Sequence, residues 1–149
     1  MGTPDYDDPI AEESWCNQQR AVVADYLRSQ SVQHGRIGEW PAWHVFPYVS
    51  IWAIESQARP EWIGWWVICG DMPTDYISAA DVEHPQHPRK AIRVIARRWL
   101  KQAQAWNEGR DFDGIQIPGP HSHHELAPLL VSRAGLLMEW AEDDSLWEE

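Results

Sequence analysis

Cysteine is scarce in this sequence, and no long apolar run occurs. The 149 residues contain two cysteines, Cys16 and Cys69, which are too few for the disulfide framework of a small secreted domain. No stretch approaches the roughly 20 apolar residues of a membrane-spanning helix. The start of the chain, "MGTPDYDDPIAEES", has neither the basic residues nor the apolar stretch of an export signal. We therefore expect a cytoplasmic protein with no membrane partner.

Basic residues are missing from both ends of the chain. Residues 1–13 contain five acidic side chains and residues 139–149 contain six, with no lysine or arginine in either segment. The formal net charge of -11 therefore comes from acidic N- and C-terminal ends. Because DNA and RNA phosphates attract basic surfaces, nucleic-acid binding is disfavoured, whereas a basic protein partner is favoured. Acidic ends that serve only solubility are the simpler alternative.

Phenylalanine is also rare, with two residues, whereas tryptophan occurs eleven times. An indole ring combines a large apolar surface with one N–H group that needs an acceptor when it is buried. We predict that some of these rings face a surface groove. Trp40 and Trp43, in "GEWPAW", are the candidate interface tryptophans.

The pattern of apolar residues predicts one α+β domain over residues 1–149, in which a short antiparallel sheet packs against three longer helices. Asp8 is a favourable N-cap for a first helix that reaches about Gln33. Aromatic and β-branched residues then predict strands over Tyr48–Glu55 and Trp62–Gly70. Neither strand alternates between apolar and polar residues, so both faces of the sheet are expected to be covered.

Two further helices are predicted in the second half of the chain. One runs from Pro88 to about Glu108 and has Gly109 as its terminator. The other begins at Ser122, which forms a capping box with Glu125.

The block "WVICGDMPTDYI" brings a thiol and two carboxylates, Cys69, Asp71 and Asp75, to the end of the second predicted strand. A thiol nucleophile needs a base and an environment that lowers its pKa, yet the block has no histidine and the residues before Cys69 are apolar. We therefore predict that Cys69 is a buried structural residue, that Asp71 forms a turn and that Thr74 caps a short helix containing Asp75.

Glu55, at the end of the first predicted strand, is a candidate partner for Asp71 in a two-carboxylate acid–base pair. A hairpin that pairs Ser56 with Trp62 places Asp71 opposite Pro47, about 25 Å from Glu55 at the rise of a β-strand. Such pairs need a separation below ~10 Å. The predicted register therefore disfavours this pair.

Histidines occur in two short stretches, "EHPQHP" and "PHSHHE". Neither stretch has the ligand spacing of a zinc site, and both lie beside prolines at predicted helix starts, where polar residues are expected. No metal site and no cofactor are predicted. The residues concerned are His84, His87, His121, His123 and His124.

The helix predicted from Pro88 carries basic residues at every fourth position, Arg89, Arg93, Arg97 and Lys101. This stripe could bind a nucleotide, an acidic partner or the acidic tail of the chain, or it could be a solvated helix face paired with nearby acids. Arg93 and Arg97 are its candidate interface residues. No glycine-rich phosphate loop accompanies the stripe.

Four stretches, "GEWPAWHVFPYVSIWAIES", "GWWVICGDMPTDYI", "PRKAIRVIARRWL" and "LLVSRAGLLMEWAEDDSLW", together resemble a family of small bacterial proteins described only as a domain of unknown function. The resemblance covers the chain from Trp15 to Trp147 and is most specific over Ile63 to Ile77. It implies a bacterial, cytoplasmic, single-domain protein and supplies no activity, cofactor or catalytic residue.

Two functions of different class follow from these features. The first is a non-catalytic protein-binding domain, an immunity-like or regulatory protein that uses exposed tryptophans and acidic charge to bind a basic partner. The alternative is a small hydrolase-like enzyme with a site at Cys69, Asp71 and Asp75. The sequence does not indicate whether the protein is a monomer or an oligomer.

Overall fold

The computed structural model describes residues 8–82, 86–110, 112, 114, 115, 117 and 120–147. His84 and the acidic residues at positions 5, 7, 148 and 149 lie outside the described residues. The chain divides into two units, the first ending at Ala80 and the second beginning at Asp81. The predicted α+β class, with an antiparallel sheet and three longer helices, is confirmed. The single-domain assignment stays a prediction.

Helix α1 spans Pro9–Ser29. Its start is as predicted, because the Asp8 carboxylate accepts the N–H of Ile10 at 2.9 Å. Its end comes before the predicted Gln33, since Ser31 adopts a left-handed φ of 55° and the N–H of Val32 then donates to the carbonyl of Leu27 at 3.1 Å. This is a Schellman ending in which serine takes the place usually held by glycine.

Four antiparallel strands form the sheet in the order β1-β2-β3-β4. The strands are β1 (Trp43–Val45), β2 (Val49–Glu55), β3 (Ile63–Gly70) and β4 (Met72–Ser78). The two predicted strands correspond to β2 and β3. The short helix predicted after Thr74 is wrong, because residues 72–78 form β4. Since β4 lies at the end of the strand order, Pro73 can occupy it without removing a central ladder bond.

The β2–β3 hairpin begins in the predicted register and then shifts. The N–H of Ser56 donates to the carbonyl of Trp62 at 2.8 Å, as expected. A bulge between Ile54 and Glu55 then moves the pairing by one residue. As a result the N–H of Asp71 donates to the carbonyl of Tyr48 at 2.8 Å, and the prediction that Asp71 faces Pro47 is wrong by one position.

Helix α1 covers one face of the sheet. The side chains that meet there are almost fully buried and form one apolar cluster: Val23, Leu27, Trp52, Ile54, Val67 and Cys69. Burying a side chain such as Leu27 stabilises the fold by about 1.5–3 kcal/mol. Residues on the opposite face, including Ile51, Trp66 and Ile68, are also buried, in agreement with the lack of alternation in the strands.

The second unit contains α2 (Pro88–Asn107) and α3 (His123–Glu142), which pack against each other. Short 3₁₀ turns occupy Ala79–Asp81 and Asp144–Trp147. As predicted, Gly109 ends α2 with a φ of 69°, and the Ser122 hydroxyl accepts the N–H of Glu125 at 3.2 Å. No helix in the described part of the chain has the length and apolar character needed to cross a membrane.

Candidate protein-binding groove

Cys69 lies on the face of the sheet that α1 covers. Its Sγ is 3.3 Å from the Ser50 hydroxyl, and only 1% of the surface of Cys69 is exposed. Burial raises the pKa of the Cys69 thiol to about 11, against a smaller lowering effect of the hydrogen bond from Ser50. A thiol that stays protonated at neutral pH and lies in an apolar cluster has the properties of a structural residue.

The three residues of the alternative enzyme site do not converge. Asp75 is buried in β4 and pairs with Ile68, so it lies on the face opposite Cys69, because side chains alternate along a strand. Asp71 is exposed in the turn between β3 and β4. The candidate thiol and the two candidate carboxylates therefore lie on different sides of the sheet or at its end.

Glu55 and Asp71 are not brought together either. Glu55 pairs with Ile63 at one end of the hairpin, whereas Asp71 follows Gly70, which pairs with Val49 at the other end. The intervening length of β2 corresponds to roughly 20 Å. The predicted separation of these two carboxylates is confirmed.

Glu55 instead joins three segments of the first unit. Its carboxylate accepts the backbone N–H groups of Arg36 and Glu61, each at 2.9 Å, and the Arg36 guanidinium at 3.4 Å. These bonds, with the backbone N–H of Arg36 first, lower the pKa of Glu55 to about 2. Glu61 has a left-handed φ of 74°, which is strained for a residue other than glycine. Glu55 therefore holds the turn that precedes Trp62.

Two of the eleven tryptophans, all of which the structure describes, are exposed: Trp40 is 49% exposed and Trp62 is 52% exposed. Trp43, the other candidate from the sequence, lies in β1 and is partly buried. Sequence reasoning missed Trp62, because it placed this residue in the second predicted strand, whereas β3 begins at Ile63; its position directly after the "SQARPE" turn was the usable signal.

The two exposed tryptophans line adjoining clefts of the first unit. A cleft of about 530 Å³ extends from the segment after α1 to the β2–β3 turn, and its wall includes Trp62. A second cleft of about 460 Å³ includes Trp40, and the two clefts share Arg20 and Glu39. We call these two adjoining clefts together the tryptophan groove. Its polar and charged wall residues are Glu13, Asn17, Arg20, Arg36, Glu39, Glu55 and Glu61.

The cationic groups of the tryptophan groove are engaged within the protein. Arg20 donates to the carbonyls of Gly38 and Ile37 at 2.9 and 3.0 Å, and Arg36 pairs with Glu55 at 3.4 Å. The remaining carboxylates are exposed and form no ion pair with the residues that the structure describes: Glu13, Glu39 and Glu61. The groove therefore presents unpaired negative charge beside both exposed indoles.

The basic stripe of α2 contacts the acidic end of its own unit. Arg89 donates to the carbonyl of Ala141 at 2.6 Å and also to Asp144, and this contact lowers the pKa of Asp144. Arg93 pairs with Glu142 at 3.4 Å. Among the partners that the sequence left open for the basic stripe, the structure therefore shows the acidic tail, which pairs with Arg89 and Arg93. Arg97 is exposed and has no ion pair within the described ranges.

The histidines occupy separate local environments. His87 is the N-cap of α2, His121 lies 3.3 Å from Glu125, and His123 stacks on Trp106 with ring centroids 4.5 Å apart. No group of three or more histidine, cysteine, aspartate or glutamate residues that could hold a metal ion occurs among the described residues.

Comparison with known proteins gives a family. Residues 10–147 match the family model described as "Domain of unknown function (DUF4826)". The chain belongs to this family, which confirms the predicted resemblance to a domain of unknown function. Neither a curated protein nor a solved structure matches the chain significantly. Its function therefore has to be inferred from its own residues.

Proposed function

We propose that this chain is a non-catalytic protein-binding domain whose tryptophan groove binds a basic partner. The observation that carries the proposal is the position of the two exposed tryptophans, both of which line that groove. Tryptophan is enriched among the residues that contribute most to protein interfaces, because it buries a large surface at a small cost in side-chain entropy.

Charge supports a basic partner. Glu13, Glu39 and Glu61 are exposed beside the indoles without a partner in the described part of the chain, and the whole chain has a formal net charge of -11. Complementary charge increases the association rate and discriminates against partners of the same sign. An immunity-like or regulatory role, in the bacterial cytoplasm, fits such a binding domain and is part of this proposal.

The arrangement of the candidate nucleophile and acids supports a non-catalytic role over the hydrolase-like alternative. Catalysis by a thiol and carboxylates requires that the side chains meet at the reacting atoms. Cys69 and Asp75 lie on opposite faces of the sheet, and Asp71 lies in the turn. Glu55, one of the carboxylates in the cleft beside Trp62, is engaged by backbone N–H groups.

Capture from an extract of the source organism tests the proposal. The immobilised full-length chain is compared with the double variant Trp40→Ala/Trp62→Ala and with Leu129→Ala, a control that removes an exposed side chain (39% exposed) from α3. Each is washed at low and at high salt, since exposed charge pairs weaken as salt rises.

We expect the wild type and Leu129→Ala to retain a basic protein at low salt. The double variant should not retain it, and high salt should release it from the wild type. The proposal is contradicted if the double variant retains the same proteins as the wild type, or if repeated captures at low salt retain nothing specific.

A further inference from the structure

The half of the tryptophan groove around Trp40 has the chemistry of a cation site. We propose that Trp40, Glu13 and Glu39 bind one lysine or arginine side chain of an extended segment of the partner, and that an aliphatic side chain of the same segment lies in the cleft beside Trp62. This inference rests on the proposed function, since it names the chemistry of the partner at the same groove.

The indole of Trp40 is held in place while part of its surface stays open. Its ring meets His44 at 6.0 Å between centroids and 88° between planes. His44 is itself held by Trp15, with centroids 6.1 Å apart, and by Glu12, whose carboxylate lies 3.4 Å from Nε2. In an edge-to-face contact at least one face of the indole is not covered by the other ring. With Trp40 49% exposed, such a face is available to a cation.

Two carboxylates lie in the wall of the same cleft as this indole, Glu13 and Glu39. Arg20, the cation of that cleft, donates through Nε and Nη2 to the carbonyls of Gly38 and Ile37. The carboxylates therefore have no ion-pair partner within the part of the chain that the structure describes. A lysine or arginine side chain can satisfy an indole face and a carboxylate together, and the two carboxylates of this cleft outnumber its one guanidinium, so the local charge favours a cation over an anion.

The adjoining cleft selects a different side chain. Its floor and walls include Ile37, Ala53 and Ile63, next to the exposed Trp62. One face of Trp62 is already engaged, because the Arg59 guanidinium lies 3.6 Å from its ring centroid. A neutral aliphatic side chain therefore fits this cleft better than a second cation.

Two contacts are needed because each is weak alone. An exposed cation–π contact and an exposed ion pair contribute little individually. In an extended segment alternate side chains lie on the same face, and the two clefts adjoin at Arg20 and Glu39, so one basic and one aliphatic side chain of that face can enter them together. The ligand is therefore a peptide segment and not a free amino acid.

Fluorescence anisotropy with labelled synthetic peptides tests the inference. The first probe is a peptide of about ten residues, roughly 33 Å when extended, in which lysine and leucine occupy positions i and i+2. In the second probe glutamine replaces lysine, in the third glutamate replaces lysine, and in the fourth glycine replaces leucine. Binding is measured to the full-length wild type, to Glu13→Gln/Glu39→Gln, to Trp40→Ala and to the control Glu139→Gln on an exposed position of α3.

We expect saturable binding of the lysine–leucine peptide to the wild type and to Glu139→Gln. The double glutamine variant and Trp40→Ala should each weaken this binding by about threefold or more, and the glutamine, glutamate and glycine probes should bind more weakly to the wild type by about threefold or more, as expected for the loss of one exposed contact. Thermal unfolding of each variant reports its folding. The double glutamine variant changes only exposed side chains, so it keeps the test valid if Trp40→Ala is unstable.

The inference is overturned if the double glutamine variant binds the lysine–leucine peptide as tightly as the wild type does, if the glutamate probe binds equally well, or if no probe binds. If no basic peptide binds while a protein is still captured through Trp40 and Trp62, the cation site fails and the proposed function stands. If the capture also fails, both fail.

Discussion

The carboxylate of Glu55 accepts the backbone N–H of Glu61 at 2.9 Å, across the turn that joins β2 to β3. Glu61 has a φ of 74°, so this bond holds a backbone conformation that glutamate rarely adopts. The next residue is Trp62, whose exposed indole forms one end of the tryptophan groove. Glu55, which the sequence analysis considered as half of a two-carboxylate pair, therefore acts by shaping the groove.

Glu55→Gln should lower the melting temperature at pH 7. The pKa of Glu55 is about 2 in the folded protein, against an ordinary value of 4.5. Because the folded pKa is lowered, the stabilisation by the carboxylate is fully present above pH ~4.5 and is lost as the pH falls towards ~2. Thermal unfolding between pH 7 and pH 2.5 should therefore show a difference between wild type and variant that narrows below pH ~4.5.

The matched control for this prediction is Glu61→Gln, because it removes an exposed carboxylate from the same turn and keeps the N–H that Glu55 accepts. Its melting temperature should stay close to that of the wild type at all pH values. Equal melting temperatures of Glu55→Gln and wild type at pH 7 would show that the Glu55 bonds do not hold the turn.

The two cysteines should be inert towards thiol reagents in the folded protein. Burial raises the pKa of Cys16, with a further increase from the charge of Glu12, and the pKa values of Cys16 and Cys69 are both about 11. At pH 8 only about one thiol in a thousand is then ionised. Reaction with a chromogenic disulfide reagent should be slow in the native protein and should reach two thiols after unfolding in guanidinium. Rapid reaction of either thiol in the native protein contradicts this expectation.

Ser50→Ala should destabilise the first unit by about 1–3 kcal/mol, because it leaves a buried donor without its acceptor. The Ser50 hydroxyl accepts the indole N–H of Trp52 at 2.9 Å, and both residues are fully buried. Ser14→Ala, at an exposed position of α1, is the control and should change the free energy of unfolding by less than about 0.5 kcal/mol. Urea unfolding measures both values, and the same stability for the two variants would show that the Trp52 N–H finds another acceptor.

Gln102→Leu should destabilise the second unit. The Gln102 amide donates to the carbonyl of Ile115 at 2.8 Å and accepts its N–H at 3.1 Å, and Gln102 is fully buried. Each backbone group left without a partner should cost about 1–3 kcal/mol. Gln104→Leu, at an exposed position two residues along α2, is the control. If both variants unfold at the same urea concentration, the Gln102 amide does not fix Ile115.

The helices could be predicted from the sequence because their signals are local. Asp8, Ser122 and Gly109 act on the backbone within a few residues of themselves, and each has the predicted role. The end of α1 could not be predicted, since Ser31 takes a conformation for which glycine is the usual signal. Strand β4 was missed because Pro73 and Asp75 disfavour a strand locally, and pairing with β3 overrides that preference.

The candidate site was predicted only in part. Of the two tryptophans proposed in "GEWPAW", Trp40 is exposed and lines a cleft, whereas Trp43 is partly buried. The roles of Arg93 and Glu55 depend on contacts with Glu142 and Arg36, which are distant in sequence. The sequence offers the acidic tail as one possible partner of the stripe, but it does not show that Arg93 pairs with Glu142 or that Glu55 pairs with Arg36.

Hydrogen–deuterium exchange of the chain, alone and bound to the partner captured by the wild type, tests the groove most directly. We predict slower exchange on binding in the segments that form the tryptophan groove, residues 36–41 and 59–63, and little change in α2 and α3. Slower exchange confined to α2 and α3, with residues 36–41 and 59–63 unchanged, would contradict the assignment of the groove as the binding surface.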